Sequence, residues 1–395
     1  MTESEAEPNG SHSQDVIAGN LGEPIKLSGL ALSGVSAEAA RPGTPVKIWT
    51  RLSLTSDDHL FHRVAEGLSN HIQYVASQTG SPVNLKRADV VLLVVHSDNT
   101  GDLWIDAAAV AVQIMAKRNM VAGTVLFEHD IADVIGMYFP LVAIGKEDRI
   151  VCIFREGWRF GLYFDFNPDG KLSVPNMQRD LGTLYRRLKY RDLYDVIADQ
   201  TVFSQLVAAG WFPFVEILGS EFRSLTNCNE AGFELDAEEV KLLARFDAER
   251  IERMFTRWMA RPHFAGKEAL LRSAQKAFAA GDAIPVLKIV LTEIEGILSD
   301  AYRGVHGRGA KINALLEFAV ASAEAKAGQP DTLLFPSAFA EYLKSYTFAN
   351  FDPSENAGRA GSRHAVGHGA AVSESYTMVR ALQALLTLDQ LAFYT

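Results

Sequence analysis

The hydrophobic period of this chain changes near Asp236, and that change constrains its fold more than any other feature. From there to Thr395 apolar residues recur every three or four positions, in runs such as "DAEEVKLLARFDAERIERMFTRWMA", "GKEALLRSAQKAFAAG", "AIPVLKIVLTEIEGILSDAYRG", "AKINALLEFAVASAEA", "SAFAEYLKSYTF" and "VSESYTMVRALQALLTLDQLAFY". Gly, Pro and short polar breaks separate the runs, so the stretch reads as helices that cover one another's apolar stripes. Residues 241–395 are therefore assigned to an all-α bundle.

Upstream the signals mix, and residues 46–240 read as an α/β region. "SDDHLFHRVAEGLSNHIQYVASQ" has helical spacing behind an Asp/Ser cap, while "ADVVLLVVH" is an apolar run of buried-strand length. "GTVLFEHDIADVIGMYFP" adds strand-like material, and its acidic residues Glu128, Asp130 and Asp133 are expected on a solvated face or rim. "RIVCIFREGWRFGLYFDFNPDGK" predicts two strands around Glu156-Gly157, closed by an Asn-Pro-Asp-Gly turn. The next helix carries Arg179, Arg186, Arg187, Lys189 and Arg191, expected on a solvated face paired with its own Asp residues. "GWFPFVEILGSEF" packs aromatics of a core or a domain junction. Residues 1–45 have no aromatic residue and read as a flexible tail, too poor in apolar surface to offset ordering entropy. The expected class is thus α+β multidomain: a mixed α/β N-terminal region followed by an all-α bundle.

At 48% hydrophobic and 22% charged, the chain is globular. Lys and Arg number 38 against 48 Asp and Glu, and the net charge of -10 argues against charge-driven coating of nucleic acid, leaving room for a local basic cleft. Two cysteines, Cys152 and Cys228, make neither a disulfide framework nor a four-Cys zinc site, which fits a reducing, cytoplasmic setting. "MTESEAEPNGSHSQD" lacks the basic-then-apolar layout of a secretory signal, and no window is apolar enough for a bilayer, so no membrane partner is expected.

The residues that carry chemistry gather in "GSRHAVGHG", Gly361 to Gly369. Asp352, Pro353 and Glu355 form a capping-box-like start, so a helix is expected from about Pro353, ending at the stop signal Gly369. On that helix Ala357, Gly361, His364 and His368 would make one stripe, small at one end and imidazole at the other, open to close approach by another helix. Arg363 would lie to one side of it. Three readings are open: helix-end histidines favoured by the dipole, a metal pair from His364 and His368 with no third ligand in view, and a phosphate-reaction site. For the last, Arg holds a phosphate bidentately and His exchanges protons near neutral pH.

Arg363, the polar His364, three more residues and His368 resemble the Arg-x4-6-His signature of the HEPN superfamily. The setting is similar too: "IPVLKIVLTEIEGILSDAY" resembles an earlier HEPN helix, "FAEYLKSYTF" the helix feeding the motif, and the closing segment that of Apea-like or abortive-infection HEPN domains. The likeness covers about residues 245–395 and includes one last amphipathic helix. It implies a metal-independent endoribonuclease without a cofactor, a homodimer through the C-terminal domain whose two protomers form one composite cleft, and a role in anti-phage defence or growth arrest. It implies that Arg363 binds the scissile phosphate, that His368 is the general acid or base, and that His364 orients the Arg or touches RNA. Glu295, if its helix packs beside the motif, would fix the Arg363 guanidinium. Arg303, Arg308 and Lys311 of "RGVHGRGAK" would add phosphate contacts, and residues 46–240 would meet a regulatory partner or trigger. The alternative is a non-catalytic HEPN domain that binds RNA or a nucleotide, or serves dimerisation.

Overall fold

A computed structural model of the chain describes residues 22–350 and 362–395. The fold is α+β, with a sheet-containing N-terminal part and a helical C-terminal part. The described residues form two compact units, 22–111 with 137–184, and 112–136 with 185–350 and 362–395. This division falls elsewhere than the compositional boundary near 240, because helices begin well before the change of period. Residues 22–45, read as tail, include a strand.

The strands are β1 (Ile25–Leu27), β2 (Arg51–Thr55), β3 (Val90–Val95), β4 (Gly101–Ile105), β5 (Ala111–Ala116), β6 (Ile131–Tyr138), β7 (Arg149–Glu156) and β8 (Arg159–Asp165). Six of them form an antiparallel sheet in the order β1-β4-β3-β7-β8-β2, while β5 and β6 make a separate ribbon. The run "ADVVLLVVH" becomes β3, flanked on both sides by strands, which is why it reads as continuously apolar. Val91, Leu93 and Val95, alternate residues on one face, share a core with Val64, Leu68 and Ile72 of helix α1 (Phe61–Gln78). That helix starts without the expected side-chain cap. β7 and β8 form the expected hairpin about Gly157, and Gly170 N–H donates to the Asn167 carbonyl in the predicted turn.

The remaining helices are α2 (Val174–Lys189), α3 (Arg191–Ala198), α4 (Gln200–Ala209), α5 (Ser220–Glu230), α6 (Asp236–Leu243), α7 (Ala248–Met259), the single turn α8 (Pro262–Ala265), α9 (Glu268–Ala279), α10 (Ala283–His306), α11 (Ile312–Ala327), α12 (Pro336–Tyr342), α13 (Arg363–Gly367) and α14 (Met378–Tyr394). Leu343–Thr347 continues α12 as a π-helix. In the second unit α14 packs against α6, α7, α10 and α11. It is not amphipathic as expected: every residue from Ala381 to Tyr394 is buried. The core takes it because each inward polar group finds a partner. Gln390 accepts from Val215 N–H and donates to the Leu334 carbonyl, Gln383 donates to the Ala209 carbonyl, and Tyr394 donates to the Leu334 carbonyl. Trp211, Phe212, Phe214, Val215 and Ile217 are fully buried beside it, so the aromatic cluster is core.

Several charges expected at the surface lie inside. Arg186 is fully buried; it donates from Nε to Tyr194 at 2.8 Å, reaches Asp331 Oδ1 at 3.0 Å, and lies 3.6 Å from Asp133. Asp133, also fully buried, accepts from the N–H groups of Val134 and Leu333 and from the Thr332 hydroxyl. Burial pushes the Asp133 carboxyl above its usual range, with Arg186 and these donors opposing. Asp130 is 2% exposed and takes both Nε and Nη2 of Arg118. Of the five cations read as a solvated face, Arg191 makes the expected pair within its own helix, with Asp195 at 2.7 Å. Arg186 and Arg187 instead meet Asp331, a residue distant in sequence of which short-range periodicity carries no record.

Gly210 ends α4 in the left-handed region at φ 88. A methyl group there would collide with the polar tips of Gln383, Tyr346 and Arg380, whose guanidinium covers the Ala209 carbonyl at 2.6 Å. Gly210→Ala is expected to destabilise the helical unit by about 2–4 kcal/mol, read as a lower urea midpoint.

Candidate active site

The site is built on α10 and α13, which pack together. Asp282 caps α10, accepting from Ile284 N–H at 3.2 Å, and Gly307 closes it in the left-handed conformation. Glu295 sits in the second half of this helix. The expected long helix from Pro353 through His368 is not what carries the motif: Ser362, at φ -93 and ψ 126, is extended, and the helix holding Arg363 starts at Arg363 itself. An extended residue breaks the ladder of N–H to carbonyl bonds that a continuous helix would need. The Ser362 hydroxyl instead donates to the Ala349 carbonyl at 3.0 Å. The expected cap at Asp352, Pro353 and Glu355, and the stripe residues Ala357 and Gly361, lie outside the described residues.

The stop signal acts as the sequence predicts. Gly369 is left-handed at φ 69, its N–H donates to the Val366 carbonyl at 3.2 Å, and Ala370 N–H donates to the Ala365 carbonyl at 2.8 Å. This closure takes His368 out of helical geometry, to ψ 1, and leaves it exposed. Ala365 and Val366 are buried and anchor the turn, so the polar residues around them face outward.

Arg363 Nη2 lies 2.7 Å from Glu295 Oε2, with the two side chains 32% and 33% exposed. Arg363 Nε is buried and has no hydrogen-bond partner among the described residues. A guanidinium held by one terminal nitrogen keeps other donors for a second anion. The rings of His364 and His368 lie nearly parallel, 9° apart, with centroids separated by 6.4 Å. One short helix thus presents a guanidinium fixed on a carboxylate and two stacked imidazoles, a set able to hold an oxyanion and move a proton.

Of the residues read as phosphate contacts, Arg303 is in the last turn of α10 and pairs with Asp300 at 3.1 Å, while Arg308 and Lys311 are exposed between α10 and α11. His306 packs against Tyr302, the two rings tilted by 36° with centroids 4.2 Å apart. Among the described residues no helix is long and apolar enough to cross a membrane.

No family model matches the chain, and no curated protein or solved structure matches it either.

Proposed function

We propose that the helical unit is a metal-independent endoribonuclease of HEPN type, acting in the cytoplasm as a homodimer in anti-phage defence or growth arrest. The observation that carries the reading is the 2.7 Å pair between Arg363 and Glu295, with Arg363 opening the short helix that His368 caps. An arginine oriented by a carboxylate is preorganised for the charge that develops on a phosphate in transfer. In the reaction, the RNA 2′-oxygen attacks phosphorus as its proton passes to a base. The bond from phosphorus to the 5′-oxygen breaks as that oxygen takes a proton from an acid. The products are a 2′,3′-cyclic phosphate and a free 5′-hydroxyl. Arg363 holds the non-bridging oxygens, His368 carries one of the proton transfers, and His364 lies beside both to orient the Arg or touch RNA. Arg308 and Lys311 would extend the phosphate contacts, and the sheet-containing unit would receive a trigger or partner.

Purified protein in excess chelator should cut single-stranded RNA and leave cyclic phosphate ends, scored by end-group analysis. Binding of varied RNAs without cutting would favour the non-catalytic alternative, and activity that requires added metal would end the reading. Glu295 acts through Arg363. Glu295→Gln should therefore slow cleavage only about fivefold, since partly exposed pairs contribute about 1 kcal/mol, with the loss in kcat and the pH profile unmoved.

A further inference from the structure

Lys117, directly after β5, is nine-tenths buried, at 8% exposed, and lines a cavity of about 640 Å³ between the β5–β6 ribbon, α5 and α7. Its backbone is held on both sides: its N–H donates to the Asp130 carbonyl at 2.8 Å, and its carbonyl accepts from Arg257 Nη1 at 2.7 Å. Its ammonium group, by contrast, meets no hydrogen-bond acceptor and no carboxylate at ion-pair distance among the described residues.

The acidic groups of the cavity wall are already answered. Glu216 takes Arg250 at 3.0 Å and Arg257 at 2.7 Å, Glu221 takes both ends of the Arg250 fork at 2.8 Å, and Asp130 takes Arg118. Glu249 takes Arg253 at 2.8 Å, and Asp247 caps α7. With Asp389, which also takes Arg257, the carboxylates around the cavity balance its Lys and Arg side chains, and Lys117 is the member of that set without a hydrogen-bonded or ion-paired partner among the described residues. At the rim Arg118, Arg245 and Arg253 are 41%, 55% and 49% exposed; the pairs of Arg245 and Arg253 are of small net worth, while Arg118 keeps its two-pronged hold on Asp130 and has a further nitrogen to offer an anion. The volume is within the range of small-ligand sites, roughly 300–1,000 Å³.

We propose that this cavity binds a small ligand carrying two or more oxyanion groups, phosphate or carboxylate, seated on the Lys117 ammonium and held at the rim by Arg118, Arg245 and Arg253. Nothing in this inference depends on the ribonuclease reading.

Burial draws the Lys117 pKa down to about 8, with Glu216 and Asp389 opposing and Arg250 and Arg257 adding to the fall. The ligand-free folded chain therefore releases this proton before the unfolded chain does. Stability from this group rises between about pH 8 and the usual lysine range, because the unfolded state binds more protons there. A bound anion reverses the fall, so binding above pH 8 should take up a proton.

The test is calorimetric titration of the full-length chain with inorganic pyrophosphate and, separately, citrate, at pH 7 and pH 8.5 in buffers of different ionisation enthalpy. Binding by either probe is expected, with proton uptake at the higher pH. Pyrophosphate alone assigns phosphate, citrate alone carboxylate, and both the shared oxyanion chemistry. Lys117→Met should weaken binding tenfold or more, and Arg253→Ala, at an exposed position that leaves the core intact, a few-fold. Failure of both probes to bind the wild-type chain at millimolar concentration overturns the proposal, as does unchanged affinity in both variants.

Discussion

On the proposed ribonuclease reading, Arg363→Ala and His368→Ala are each expected to lower RNA cleavage by about 10²–10⁴-fold with fold and oligomeric state unchanged. His368 is exposed and Arg363 lies at the edge of the core, about one-third exposed, so truncation costs little packing. Glu295, left without its partner in Arg363→Ala, is reached by water and carries little penalty. Arg363→Lys keeps the charge but loses the planar fork, and should recover only a small part of the rate. His364→Ala should fall between wild type and His368→Ala. The measurements are single-turnover cleavage and sedimentation of the same preparations. Cleavage at the wild-type rate by His368→Ala would remove this residue from the mechanism, whatever the fate of Arg363.

The largest stability loss is expected at Arg257. Its guanidinium lies between two buried carboxylates, taking Asp389 at 3.0 and 2.8 Å and Glu216 at 2.7 Å, while Trp258 donates to Asp389 at 2.8 Å. Burial disfavours the Arg257 charge, but Asp389 and Glu216 more than offset it and hold its pKa above the usual arginine value. Arg257→Ala leaves Asp389, 1% exposed, as a buried charge without a counter-ion. The expected cost is about 3–5 kcal/mol, read as a lower urea midpoint for the helical unit. Arg257→Met combined with Asp389→Asn should recover much of it, because the neutral amide still accepts from Trp258 and Glu216 keeps Arg250 as its counter-ion. Equal losses in the single and double variants would instead assign the effect to packing around the Arg257 stem.

The Arg257 cluster also marks where reading the chain by period runs out. Asp389 and Arg257 are 132 positions apart, and each looks locally like an ordinary helix surface residue. The same holds for Arg186 and Asp331, separated by 145 positions. In α14 the polar residues Gln383, Thr387, Asp389 and Gln390 suggest a solvated face, yet all four are buried. Lys117 carries no local signal at all, since a single lysine after a short strand is commonplace. At the candidate site more was legible. Gly369 was a readable stop, and the Glu295–Arg363 pair was open in the sequence on the condition that the helix of Glu295 packs beside the motif, which only the tertiary structure supplied.

The amino-acid sequence by itself determined the elements: the helix over Phe61–Gln78, the strand Val90–Val95, the hairpin at Gly157, and the helical run to Thr395. These follow from spacing, turn residues and caps, which act within a few positions along the chain. Only the tertiary structure decided which charges lie inside, that Ser362 interrupts the expected helix, and that the closing helix is surrounded on every side. Burial and partner choice depend on what arrives from distant segments, and a buried charge is tolerable only when such a partner meets it.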